Sequence, residues 1–198
     1  MDGALLWAGI GVVGVLAAIT VVLLTKRRRA RQAADAGTKI PAYHEAGHAV
    51  LAIASRFHSL PAGYVGVEDA YGEAPVSLSR SRMRAGGRSE DIPAALADPE
   101  VARDAAVVFL GGFAAEVRYC EQVGVEPDPA LSRNDVHMAM AVLGRAGVNA
   151  PLPDVEAEAA NRVEELWPVI AEFAEELHRR RAIDTVDALA FITPRLRT

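Results

Sequence analysis

Cysteine is nearly absent from this 198-residue chain, and aromatic residues make up only 6% of it. The single cysteine, Cys120, has no partner for a disulfide within the chain, so nothing in the sequence requires an oxidising compartment. Acidic residues are scarce before position 38, where only Asp2 and Asp35 occur, so the net charge of −5 comes from an acidic body. We therefore expect no nucleic-acid partner, because phosphate binding requires clustered lysine and arginine.

Ionisable side chains are missing from Ala4 to Leu24, a run of 21 residues. As a helix this run would be about 31 Å long, which matches a bilayer hydrocarbon core of roughly 30 Å. The basic residues Lys26 to Arg29 follow, and the positive-inside rule places them in the cytoplasm. We predict a single-pass protein of the cell membrane, with a transmembrane anchor (1–25), a basic juxtamembrane linker that contacts lipid (26–38) and a cytoplasmic domain (39–198). The alternative is a buried core helix.

Three glycines in the apolar run, Gly9, Gly11 and Gly14, match the G-x-G-x-x-G string of dinucleotide-binding proteins. That motif needs a strand before it and a helix after it, and a membrane span offers neither. Small residues in a spanning helix favour close packing between helices instead. A homo-oligomer is therefore one candidate assembly.

The segment His44-Glu45-Ala46-Gly47-His48 matches the H-E-x-x-H motif. On a helix, residues i and i+4 lie one turn apart and within about 40° of each other, so both imidazoles can reach one zinc ion. Glu45 lies about 100° from His44, where its carboxylate can take a proton from a zinc-bound water instead of ligating the metal. Small apolar residues recur at helical spacing around the motif. The pattern predicts a Zn²⁺ site with Glu45 as general base.

A catalytic zinc site needs a third protein ligand. His58 lies past the expected end of the motif helix, and His178 lies in a polar, arginine-rich helix end. The segment 130–139 offers a better candidate, and its His137 points about 200° away from Asp135 on the same helix. For Asp135, spacing alone favours a capping box with Ser132, in which both side chains bond the backbone at a helix start.

Three motifs occur in order, and together they resemble the peptidase domain of FtsH-type membrane-anchored zinc metalloproteases over most of residues 40–189. They are Ala-Tyr-His-Glu-Ala-Gly-His-Ala-Val at 42–50, Leu-Gly-Gly-Phe-Ala-Ala-Glu at 110–116 and Asn-Asp-Val at 134–136. The resemblance implies a mainly α-helical, zincin-like peptidase fold with a small sheet. It also implies that zinc is held by His44, His48 and Asp135, with Glu45 as the base.

Two features depart from that family. Arg133 precedes the third motif, and the chain contains no G-x-x-x-x-G-K-[ST] string, so it encodes no ATPase module. Without a motor of its own, the protein is expected to cut unfolded or already exposed polypeptides. An ATPase-bearing protease acting in trans is a further candidate partner.

The stretch from Ala105 to Ala115 predicts a buried helix that contains Gly111-Gly112. Two glycines in a helix cost about 1 kcal/mol each relative to alanine, so they indicate close packing against the metal-bearing helix. Glu116 ends this stretch. Its carboxylate either orients a zinc-binding histidine or marks the return of the helix to solvent.

The rest of the body is predicted to be mainly helical with one small sheet. We expect a β-hairpin of Tyr64 to Val67 with Pro75 to Leu78, whose edge could hold an extended substrate, and then a solvated loop from Arg80 to Asp91. Apolar residues recur every three or four positions from Asp154 to Arg181, which predicts an amphipathic helix. A last helix is expected from Asp184 or Thr185 to Ile192.

These patterns together predict a membrane-anchored zinc metalloendopeptidase that is ATP-independent in this chain. It would hydrolyse peptide bonds with water that zinc activates. The alternative is a non-catalytic, FtsH-like adaptor or interaction module at the membrane. The intact His44-Glu45-His48 set favours the enzyme.

Overall fold

A computed structural model describes residues 37–68, 72–130 and 132–197. The chain divides into two units, Met1–Gly37 and Thr38–Thr198, and the second contains nearly all of the described residues. The predicted transmembrane anchor and most of the basic linker lie outside the described residues. Within the described ranges, no helix combines the length and the apolar character that crossing a bilayer requires.

The second unit is mainly helical, as the sequence predicts. Its described residues contain seven helices: α1 (37–54), α2 (Arg80–Ala85), α3 (Ile92–Ala95), α4 (Pro99–Val123), α5 (Arg133–Arg145), α6 (Leu152–Arg180) and α7 (Thr185–Arg195). The longest two, α4 and α6, pack against each other, and α5 packs on α4. The predicted apolar stripe of α6 is buried except at Leu166, which is half-buried. Helix α7 starts at the expected residue but ends at Arg195 rather than Ile192.

In the part of the chain that the structure describes, five short strands form two small antiparallel sheets. In one sheet, β1 (His58–Ser59) pairs with β4 (Ser77–Leu78). In the other, β2 (Tyr64–Val67) lies between β3 (Gly72–Glu73) and β5 (Ala182–Asp184). The predicted hairpin is therefore wrong in its second strand, because β2 pairs with Gly72–Glu73 and not with Pro75–Leu78. Pro75 carries no N–H to donate to a ladder. The chain instead crosses to the other sheet after Glu73.

The predicted solvated loop is also wrong in part, because it contains α2. The Ser79 hydroxyl accepts a bond from the backbone N–H of Arg82 and caps this helix. Met83 is fully buried against Phe57 and its neighbours. The Arg82 guanidinium donates to backbone carbonyls at the C-terminal end of α1, including that of Ile53 at 2.9 Å. The burial of Met83 and the Ser79 cap therefore stabilise a helix in a segment whose composition alone predicts a solvated loop.

Glycines allow α1 and α4 to approach closely, as predicted for Gly111-Gly112. A Cβ on Gly47 of α1 would overlap the backbone carbonyl of Gly111, and a Cβ on Gly111 would overlap the side chain of Leu51. The residues beside the contact are small, and Ala46 and Ala115 are fully buried. The two backbones therefore touch along the helix that carries the H-E-x-x-H motif.

We predict that Gly47→Ala lowers the free energy of unfolding by about 1–3 kcal/mol, because the new methyl group meets backbone that cannot move aside. Gly144→Ala on α5 is the matched control, since nothing lies within 4 Å of its Cβ position. That variant should gain up to about 1 kcal/mol from helix propensity. Urea unfolding followed by circular dichroism measures both, and equal effects at the two sites would contradict the close contact.

Candidate metal centre

Both motif histidines project from α1 to the same point. His44 and His48 are each only 7% exposed. Their Nε2 atoms lie 3.2 Å apart, and their rings meet edge to face. One helical turn thus brings two imidazole nitrogens together, as the spacing of the motif predicts.

Asp135 reaches this point from the first turn of α5. Its Oδ2 atom lies 3.0 Å from Nε2 of His44 and 3.5 Å from Nε2 of His48. Ligand atoms of the three residues all lie within 4.8 Å of one another. The two histidines and the aspartate therefore form a cluster of three ligand atoms that could hold a metal ion.

The Nδ1 atoms of both histidines are held by acceptors on α4. His48 Nδ1 donates to the backbone carbonyl of Val108 at 3.0 Å, and His44 Nδ1 contacts Oε2 of Glu116 at 3.1 Å. Because a carbonyl can only accept, the proton of His48 sits on Nδ1 and Nε2 turns toward the cluster. Metal-binding histidines are commonly oriented in this way by a partner on the other nitrogen. The residues present thus fit a metal ion in donor type and in orientation.

Glu116 is fully buried, so the interpretation that it marks a return to solvent is wrong. One carboxylate oxygen contacts His44, and the other accepts the backbone N–H of Asp128 at 3.0 Å. Asp128 belongs to the segment that leads into α5, which carries Asp135. Glu116 therefore connects one histidine with the segment before the third ligand candidate.

The capping-box interpretation of Asp135 is also wrong. The Ser132 hydroxyl makes no bond to the helix start and donates instead to the backbone carbonyl of Pro129 at 3.1 Å. His137, the other candidate ligand, is exposed on α5 and is not part of the cluster. His58 and His178 lie elsewhere: His58 hydrogen-bonds Asp104 at 2.7 Å.

Glu45 lies beside the cluster without joining it. The residue is 7% exposed, and its carboxylate accepts a hydrogen bond from the backbone N–H of Ala74. Burial raises the pKa of Glu45, although the nearby His48 and His44 oppose this. A raised pKa makes the carboxylate a better proton acceptor than an exposed glutamate.

Two glycines leave room for these side chains. A Cβ on Gly112 would overlap the imidazole of His48, and a Cβ on Gly72 would overlap the carboxylate of Glu45. Gly112 belongs to the predicted glycine pair. Gly72 could not be connected to Glu45 from sequence, because the two residues lie far apart in the chain and no motif joins them.

Charge in the cluster favours a bound cation. Burial lowers the pKa of His44, but hydrogen bonds with Asp135 and Glu116 outweigh it and raise this pKa to about 9. Burial would raise the pKa of Asp135, yet its bonds to His44 and His48 hold it well below the usual range. The two carboxylates thus stabilise positive charge on the His44 imidazole, and a divalent cation at the same point would meet the same negative field.

Comparison with models of known protein families finds no match for this chain, and comparison with curated protein sequences finds none either. The chemistry of the cluster is therefore inferred from its geometry and from the motifs.

Asp135→Asn removes the negative charge of a ligand candidate. It should therefore weaken zinc binding by more than the roughly 10- to 100-fold that is lost when a hydrogen-bond partner of a metal ligand is removed. Asn134→Ala is the matched control, since Asn134 is the exposed neighbour of Asp135 on α5. Competition with a chromogenic zinc chelator measures both affinities. Equal affinity in the two variants would exclude Asp135 as a ligand.

Glu116→Gln should weaken zinc binding by roughly 10- to 100-fold, because the neutral amide still fills the space but no longer stabilises charge on His44. The same chelator competition gives the affinity, and circular dichroism checks that the fold is retained. An unchanged affinity would show that the contact with His44 does not support the metal.

Proposed function

We propose that this chain is a membrane-anchored zinc metalloendopeptidase. The observation that carries the proposal is the position of Glu45, whose buried carboxylate lies beside the His44, His48 and Asp135 cluster and also against the edge strand β3. A base next to three ligand atoms and next to a strand edge is the arrangement that peptide hydrolysis needs. The membrane location is proposed on the Ala4 to Leu24 run of the sequence.

Zinc is the metal that this donor set favours. Two imidazole nitrogens and one carboxylate oxygen are typical of catalytic zinc sites, which keep a fourth position open for water or substrate. When bound, zinc supplies Lewis acidity that polarises the peptide carbonyl and lowers the pKa of water. His44, His48 and Asp135 would hold it, while Glu116 and the Val108 carbonyl keep both imidazoles in the required orientation.

Glu45 would act as general base and then as general acid. Its carboxylate takes a proton from the attacking water, and the resulting carboxyl group gives that proton to the leaving amine. Burial of the side chain and the bond from Ala74 hold the carboxylate at one place. Gly72 lets the backbone of β3 pass directly against it.

The edge strand β3 is the proposed binding site for the substrate backbone. In the sheet order β3-β2-β5, β3 is an outer strand, and no described strand pairs with its other side. An extended polypeptide can add to such an edge through main-chain hydrogen bonds, which favours substrates that are already unfolded. Contact of Gly72 with Glu45 brings that edge to the base.

Glu45→Gln should lower hydrolysis of an unfolded casein-like substrate by about 10²- to 10⁴-fold, because the amide cannot accept the proton. Zinc content and fold should stay unchanged, since Gln has the same shape. Glu156→Gln, an exposed change on α6, is the matched control and should keep full activity. Equal activity of the Glu45 variant would exclude this mechanism, and no hydrolysis by the unaltered chain would favour the adaptor.

A further inference from the structure

We propose that Glu73 makes this site select substrates that carry lysine or arginine at one position beside the cut bond. The inference rests on the proposed function and names its substrate class. It depends on the pairing register of β3, on the cavity next to it and on the charge of its neighbours.

The two residues of β3 face opposite sides of the sheet. Gly72 pairs with Val67, which is buried, and Gly72 lies against Glu45. Glu73 is paired with Gly66 and is exposed. Because side chains alternate along a strand, Glu73 stands on the outer face while Gly72 faces the site.

A polypeptide added to the free edge of β3 would alternate in the same way. Its residue opposite Gly72 would face Glu45, and its residue opposite Glu73 would face outward. Directly opposed residues in an antiparallel pair have Cβ atoms about 4.5–5.5 Å apart. One substrate side chain at a fixed position would therefore meet the Glu73 carboxylate.

A cavity of about 350 Å³ lies on this outer face, and its lining includes Tyr64, Glu68 and Glu73. Tyr64 is 56% exposed, and its ring covers Gly66, the residue that pairs with Glu73. A cationic side chain beside Glu73 could thus contact an aromatic ring as well as the carboxylate. The cavity offers both partners that lysine and arginine bind.

The outer face of the sheet carries negative charge near the outer edge of β3. Neither Glu68 nor Glu73 forms an ion pair with any residue that the structure describes. Arg181, the basic residue of the cavity lining, directly precedes β5 on the far side of the sheet from β3. An incoming strand at β3 therefore meets negative charge first, which favours basic side chains and disfavours acidic ones.

The test is a profile of cleavage sites. The full chain in detergent with zinc is incubated with a library of unstructured decapeptides, and mass spectrometry gives residue preferences around each cut bond. We expect Lys and Arg to be enriched about three- to tenfold at one fixed position. Glu73→Gln should abolish the enrichment, Glu73→Lys should replace it with enrichment of Asp and Glu, and Glu156→Gln should leave it unchanged. A basic preference that is absent, or that survives in Glu73→Gln, would overturn the proposal.

A binding measurement separates this inference from the proposed function. The zinc-loaded Glu45→Gln chain is titrated against two fluorescent decapeptides, one alternating Lys-Ala and one alternating Glu-Ala, with anisotropy as the readout. Tighter binding of the Lys-Ala peptide, weakened about three- to tenfold by adding Glu73→Gln but not by adding Glu156→Gln, supports the role of Glu73 even if no peptide is cut. Equal binding of both peptides contradicts it, while absent cleavage contradicts only the peptidase.

Discussion

The close contact of α1 with α4 is the constraint on which the candidate site depends. A Cβ on Gly47 would overlap the Gly111 carbonyl, so glycine there lets the two backbones touch. A Cβ on Gly112 would overlap the His48 imidazole. At that separation, the Val108 carbonyl and the Glu116 carboxylate are within reach of the histidine Nδ1 atoms. Both rings are then turned with Nε2 toward Asp135. The packing of α1 against α4 therefore also determines how the two histidine rings are oriented.

Charge and packing support each other at this point. Glu116 and Asp135 approach His44 from opposite ring nitrogens, and together they raise its pKa to about 9 against the effect of burial. A buried carboxylate is costly unless it is paired, so these groups need positive charge beside them. Glu116 also holds the backbone of Asp128, in the segment that leads to Asp135. A cation at the imidazoles would satisfy the acids and link α1, α4 and α5 together.

The local parts of this arrangement could be predicted from sequence. Helical spacing put His44 and His48 on one face, and the glycine pair indicated a close helix contact. The features that could not be predicted depend on contacts between residues far apart in the chain. Whether Asp135 capped its own helix or faced the histidines depended on the packing of α5 against α4. The pairing of β2 with β5 joins segments far apart in the chain, and no local pattern encodes it.

The central claim, that the cluster on α1 and α5 holds a metal ion, is tested most directly by X-ray absorption at the zinc edge on the zinc-loaded full chain. The account predicts one zinc per chain with nitrogen and oxygen neighbours at about 2.0–2.2 Å and the outer-shell signal of two imidazoles. It also predicts that the imidazole signal disappears when His44 and His48 are both replaced by alanine. A chain that stays metal-free after loading, or zinc surrounded by water oxygens alone, would contradict it.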